Sequence, residues 1–198
     1  MALSGEEQTI TIALADRLVL GDGSALAPVF AGRGIATPSI RWSPACTDLS
    51  ARQLTFLLDY WNRLRGETTM ASAAQIEPIE MRPALGYVCL LDVLDGGLDY
   101  YYRVYGSDVA HCAGADLTGT HLSSYVRARW MLVFHAAIYR AAVLRSEPLL
   151  NCYEPTSDIA TERWERLILP LSGSEGEVAR LLVGKVPMRR RMARRDPS

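Results

Sequence analysis

This chain of 198 residues has little with which to do familiar chemistry. Its four cysteines, Cys46, Cys89, Cys112 and Cys152, are scattered, with no Cys-x-x-Cys pair. That spacing excludes a zinc knuckle and a redox dithiol. A Gly-rich phosphate loop, a Gly-x-Ser-x-Gly elbow, a calcium loop and a paired metal motif are all missing. No apolar run reaches membrane-spanning length, because Asp16 and Arg17 break the one early candidate. The start, Met1 to Glu7, is acidic and lacks the charged-then-apolar layout of a signal peptide. Net charge is only -1, so the global balance gives no reason to expect a nucleic-acid partner. The local exception is the arginine-rich tail over 188–198, read as a solvated end rather than a phosphate or membrane contact. These absences point to a cytoplasmic, reduced protein without a catalytic constellation.

What is present has the balance of a chain that buries a core: 49% hydrophobic and 22% charged residues. Residues 1–46 have loop composition, with a short strand expected over Thr9–Leu14, and form an extension. Thr47 or Asp48 is expected to cap a flanking helix over 47–66 that Gly66 stops. Pro78 suits the first turn of a short helix. Two strands then fold on Asp95-Gly96-Gly97, a turn that supplies positive φ. Gly114 and Gly119 keep the next helix short. Ser123 or Ser124 is expected to cap the longest helix, which runs to about Arg145. Its apolar stripe is Val126, Trp130, Val133, Phe134, Ala137, Ala141 and Leu144. Three strands close the pattern, over 149–154, 164–171 and 178–186. In the middle one, Glu165, Leu167, Leu169 and Leu171 alternate with Trp164, Arg166 and Ile168. The expected class is α+β: an antiparallel sheet with helices on one face.

Five blocks carry a resemblance. They are Tyr60–Gly66, Leu90–Val93, Tyr102–Ser107, Gly114–Gly119 and Glu165–Ser172, in that order along the chain. With them the segment Leu49–Leu182 resembles the PAS-domain family, and within it a bacterial, alphaproteobacterial-type group of stand-alone PAS-like proteins. The resemblance implies a five-stranded antiparallel sheet, short helices, one long helix on the sheet, and a role in sensing or protein interaction. The domain is then expected over 47–187, flanking helix included.

The candidate site follows from these expectations. A small apolar or anionic ligand is expected between the long helix and the inner sheet face, against Tyr102, Val104, Trp130, Phe134, Ile138 and Leu167. Arg103 and Arg166 lie in apolar strands and must be paired if buried. Each is either a structural ion pair, a snorkelling side chain, or an anchor for an anionic group. Some haem-binding PAS domains carry their ligand on the long helix, where His135 sits. At roughly 100° per residue it falls about 140° from the stripe, towards the edge or water, so no haem is expected. The flavin photochemistry of other relatives needs a cysteine setting that neither Cys112 nor Cys152 provides. His111 beside Cys112 points about 100° away on a helical turn and makes a poor catalytic pair. Clustered Asp92, Asp95, Asp99, Asp108 and Asp116 suit turns and local backbone bonds. Finally, Phe56, Tyr60 and Trp61 spread beyond one face of the flanking helix. They predict a two-fold homodimer through that helix, unless the extension covers them.

Overall fold

A computed structural model describes residues 3–124, 128–155 and 161–188. The chain begins with helix α1 (Gly5–Val19), the single turn α2 (Ala27–Phe30) and strand β1 (Ser39–Trp42). Helix α3 (Arg52–Arg65) and the two-residue strand β2 (Ala71–Ser72) come next, then the hairpin β3 (Val88–Leu94) and β4 (Asp99–Tyr105). Helix α4 (Ser107–Ala113) and the long helix α5 (Arg129–Arg145) precede β5 (Leu149–Tyr153), β6 (Arg163–Ser172) and β7 (Val178–Met188). The sheet order is β1-β5-β6-β7-β3-β4, antiparallel throughout, with β2 pairing parallel to β6 off this path. The five antiparallel strands expected from the sequence are the run from β5 to β4, to which β1 adds one edge.

Both faces are covered. On one, α4, α5 and the extension pack over Cys89, Leu91, Tyr100, Trp164, Ile168, Leu181 and Val183. On the other, α3 and the short turns after β2 pack over Val88, Leu167, Leu169, Leu171 and Leu182. Strand β6 thus has no wet side, and all of Trp164–Leu171 is buried. Gly184 of β7 lets α3 approach this closely. A Cβ there would stand 2.5 Å from Leu54 Cδ2 and 2.7 Å from Leu57 Cδ1. Gly184→Ala is expected to lower stability by about 1–3 kcal/mol, the usual cost of overpacking. A urea midpoint equal to that of the parent would show that the leucines turn aside freely.

Three elements differ from expectation, two of them because the expected capping side chain is used elsewhere. Thr9–Leu14 is helical, not a strand. Ser4 and Glu7 form a reciprocal capping box, and Thr11, Leu14, Ala15 and Leu18 bury one helical stripe. Helix α3 starts at Arg52, since Asp48 is taken up in a tight turn where its carboxylate accepts from the Ala45 N–H at 2.9 Å. Helix α5 starts at Arg129 rather than after Ser124. Ser123 instead donates its N–H (3.1 Å) and hydroxyl (2.8 Å) to Asp99 at the start of β4. Val126, expected on the α5 stripe, lies outside the described residues, as does the tail from 189 onward.

The extension is docked. Helix α1 lies along α5, where the Arg129 guanidinium binds the Glu7 carboxylate and lowers its pKa to about 2. Phe30 of α2 meets Trp130 and Phe134 edge-on at 5.2 and 5.1 Å. Strand β1 completes the sheet edge by pairing with β5.

Candidate functional site

The alternation of β6 and β7 brings two cations to the same sheet face. Arg166 and Lys185 are direct cross-strand partners, and both line a cavity between the sheet, α4 and α5. The cavity is about 40 Å³, several times the roughly 10–15 Å³ that one water needs. Its walls are mainly aromatic: Tyr102, Tyr105, Tyr139, Tyr153 and Trp164.

Arg166 is 1% exposed. Its Nε donates to Asn151 Oδ1 and its Nη1 to His135 Nδ1, both at 2.8 Å. The latter bond fixes the imidazole with its proton on Nε2. The rings of Tyr153, Tyr139 and Phe134 surround the guanidinium at 4.8, 4.9 and 5.4 Å. Lys185 Nζ sits 4.1 Å from the Trp164 ring centre. Among the described residues no carboxylate forms an ion pair with either cation. Like charges facing each other across a strand pair repel, and burial removes the water that would screen them.

The surroundings follow from that charge. Burial, then the Arg166 and Lys185 charges, holds the His135 pKa well below its ordinary value, so the ring is neutral. Burial lowers the Lys185 ammonium to about 8 and raises the Tyr153 phenol to about 12. Four buried polar atoms on Arg166, its partner Asn151 and its neighbours also have no hydrogen-bond partner: Arg166 Nη2, Asn151 Nδ2, Trp164 Nε1 and the Tyr153 hydroxyl. Three are pure donors and the fourth can donate. Buried polar groups are seldom left unmade, and three of these four belong to residues that line the cavity, which suits an acceptor there.

The match of a family model to residues 49–185, described as a PAS domain, covers well over half of the chain. The chain belongs to the PAS-domain family. The cavity just described therefore lies in the sensory and signalling fold of a PAS domain, on the face carrying its long helix. No curated protein matches the chain. Among solved structures, one similar chain is described as "Structure of an RNA-binding Light-Oxygen-Voltage Receptor". It has 16% identity and a TM-score of 0.42, over 90% of this chain and 48% of that one. The present chain thus spans about half the length of that receptor.

Set in the PAS fold, the residues singled out from the sequence separate. Tyr102 and Arg166 line the cavity. Phe134 and Ile138 are buried in the core behind it, and Trp130 packs against Phe30 and under Arg33 of the extension. Leu167 faces α3 on the far side of the sheet, because it is one residue out of phase with Arg166. Val104 is 41% exposed. Arg103 also points to solvent and pairs with Asp92 at 2.6 Å; the register shift between Leu90 and Leu91 lets the edge strand bulge there. Neither belongs to the cavity wall.

His135 corrects its expected direction. The stripe argument assumes a solvent edge, but α5 is enclosed by the sheet on one side and α1 and α2 on the other, so His135 faces the cavity. The flanking-helix aromatics are corrected too. Tyr60 and Trp61 are 3% and 2% exposed within one chain. The Tyr60 hydroxyl accepts from the Glu77 N–H, and Trp61 Nε1 donates to Pro170 O at 2.8 Å. The turns after β2 cover Tyr60, and Cys46 at the end of the extension packs on the same cluster and donates to Asp59. Phe56 is half-buried and stacks on Tyr60 at 6.3 Å.

A haem or flavin does not fit this arrangement. The cavity admits only a few heavy atoms, and His135 Nδ1 already accepts from Arg166. No cluster of three or more metal-ligating side chains occurs among the described residues. Lys185 was not singled out from the sequence. The available signal was compositional: it is the chain's one lysine, beside twenty arginines.

Proposed function

We propose that this PAS domain is a sensory module that works by binding a small carboxylate in the cavity at Arg166, without catalysis. The observation that carries this reading is the charge of the site: buried Arg166 faces the partly buried Lys185 across the strand pair, with donors left over and no carboxylate among the described residues lining the cavity. A carboxylate there accepts from Arg166 Nη2 and Lys185 Nζ and places its short apolar part against the tyrosines. Charge-assisted bonds of this kind are the strong ones. The four cysteines are unpaired, which suits the reducing cytoplasm. No helix among the described residues is long and apolar enough to cross a membrane.

The test uses propionate as probe. It is expected to raise the melting temperature of the parent protein and to shift the amide resonances of β6 and β7. Arg166→Met is expected to weaken propionate by at least about 30-fold, the equivalent of roughly 2 kcal/mol for an unpaired buried charge. Native mass spectrometry of the protein as purified would then identify the resident molecule. Propionate, acetate and formate that leave both melting temperature and spectrum unchanged would overturn the reading. In that case a partner protein is the remaining input. Self-association is a separate question, since Tyr60 and Trp61 are turned inward; light scattering answers it by mass.

A further inference from the structure

Twenty of the twenty-one basic residues are arginine, and the single lysine is the one that lines the cavity. An arginine at 185 would supply the same positive charge. What lysine has and arginine lacks is a neutral amine within reach of ordinary pH. We propose that Lys185 captures the carbonyl carbon of a small 2-oxo acid as an imine, with the acid's carboxylate held by Arg166.

This deepens the reading above and rests on it. In a cavity of about 40 Å³ lined by both cations, a ligand large enough to fill the space meets both. A 2-oxo acid carries its two functional groups on adjoining carbons, so an anchored carboxylate presents its carbonyl to the amine. Lys185 forms no ion pair or hydrogen bond among the described residues that would tie up its nitrogen; its contacts are the rings of Trp164 and Tyr105, at 4.1 and 5.9 Å. An apolar wall and a neighbouring cation are the two settings that turn lysine into a nucleophile. Both apply here. Its ammonium, lowered to about 8, leaves a working fraction of free amine near neutral pH. In the reaction Nζ attacks the carbonyl carbon and a C–N bond forms. The carbonyl oxygen then leaves as water with the two amine hydrogens. Nothing is oxidised or reduced, and water reverses the step, as suits a sensor.

The experiment is intact-mass and peptide-mass analysis after pyruvate and borohydride are added to the full chain. The expected product is one reduced pyruvate adduct on the peptide containing Lys185. Lys185→Arg should lose that adduct, and the parent treated with borohydride but no pyruvate should carry none. Arg166→Met should suppress labelling by pyruvate but not by propanal, which has the carbonyl without the carboxylate. If propionate binds and pyruvate leaves Lys185 unmodified, or modifies only the amino terminus, the imine is wrong and the carboxylate site stands. If pyruvate and propanal label Lys185 equally in the parent, the 2-oxo acid class is wrong. If propionate fails to bind and Lys185 stays unlabelled, both readings fall together.

Discussion

Lys185→Met is expected to make the ligand-free protein more stable at pH 7, by on the order of 2–3 kcal/mol. The figure follows from the fall of the Lys185 pKa from 10.5 to about 8 at about 1.36 kcal/mol per unit, reduced for partial exposure. The sign follows from proton counting. Between pH 8 and 10.5 the unfolded chain holds a proton on this amine that the folded chain has shed, so stability rises with pH through that window. Below pH 8 both states are charged and the full penalty of burying the ammonium is present. Above 10.5 both are neutral and it is gone. The difference between the two proteins in urea unfolding should therefore be greatest near neutral pH and shrink as the pH approaches 10. A difference is the right measure, because the raised phenols of Tyr100, Tyr102 and Tyr153 affect both proteins at alkaline pH. Saturating propionate should narrow the gap at pH 7, since the parent then has the counter-charge it lacks. A variant that is less stable than the parent at pH 7 would mean that Lys185 is already neutralised in the free protein.

Phe134→Ala is expected to act in the opposite direction and at least as strongly. Phe134 is fully buried on α5. Its ring meets Phe30 of α2 at 5.1 Å and Tyr153 of β5 at 5.3 Å, and carries the Arg166 guanidinium at 5.4 Å. Removing it should cost about 3–5 kcal/mol, as deletions of buried phenylalanines do. That is a large part of the 5–15 kcal/mol that holds an ordinary domain together. The loss should show as a lower urea midpoint at unchanged slope, with faster amide exchange in α1 and α2 as Phe30 loses its partner. Propionate affinity, measured where the variant is still folded, should fall less than in Arg166→Met. The reverse pattern, normal stability with lost binding, would make Phe134 part of the ligand site rather than the core behind it.

The sequence was most legible where one periodicity had one cause. The Asp95-Gly96-Gly97 reversal and the alternation along β6 both come directly from local geometry, and Arg166 and Glu165 do face opposite sides of the sheet. It was least legible where an element is enclosed. On a helix buried nearly all round, an apolar stripe no longer marks the one inward direction, so His135 could not be aimed from it. The aromatics of α3 misled for a related reason: short turns that carry no periodic signal cover its second side. Helix α1 did announce itself in Ser4 and Glu7, but the β-branched run Thr9–Ile12 pulled the other way. As for the cavity, its decisive property is a missing charge, and an absence between residues far apart in the chain leaves no pattern to count.

Strand β6 is a party wall. Arg166 looks into the cavity, while the neighbouring Glu165 looks the other way and accepts the N–H (2.8 Å) and hydroxyl of Ser50, just before α3. A wall shared by two rooms cannot be rebuilt from one side. Substitutions at 164–171 must satisfy two unrelated sets of neighbours at once, whereas those at the rim strand β1 answer to one. A saturation library should therefore find β6 the least permissive stretch of the chain. Any shift of the Arg166 backbone that accompanies ligand entry would be felt at Ser50, across the sheet, with no moving part between them but the strand itself.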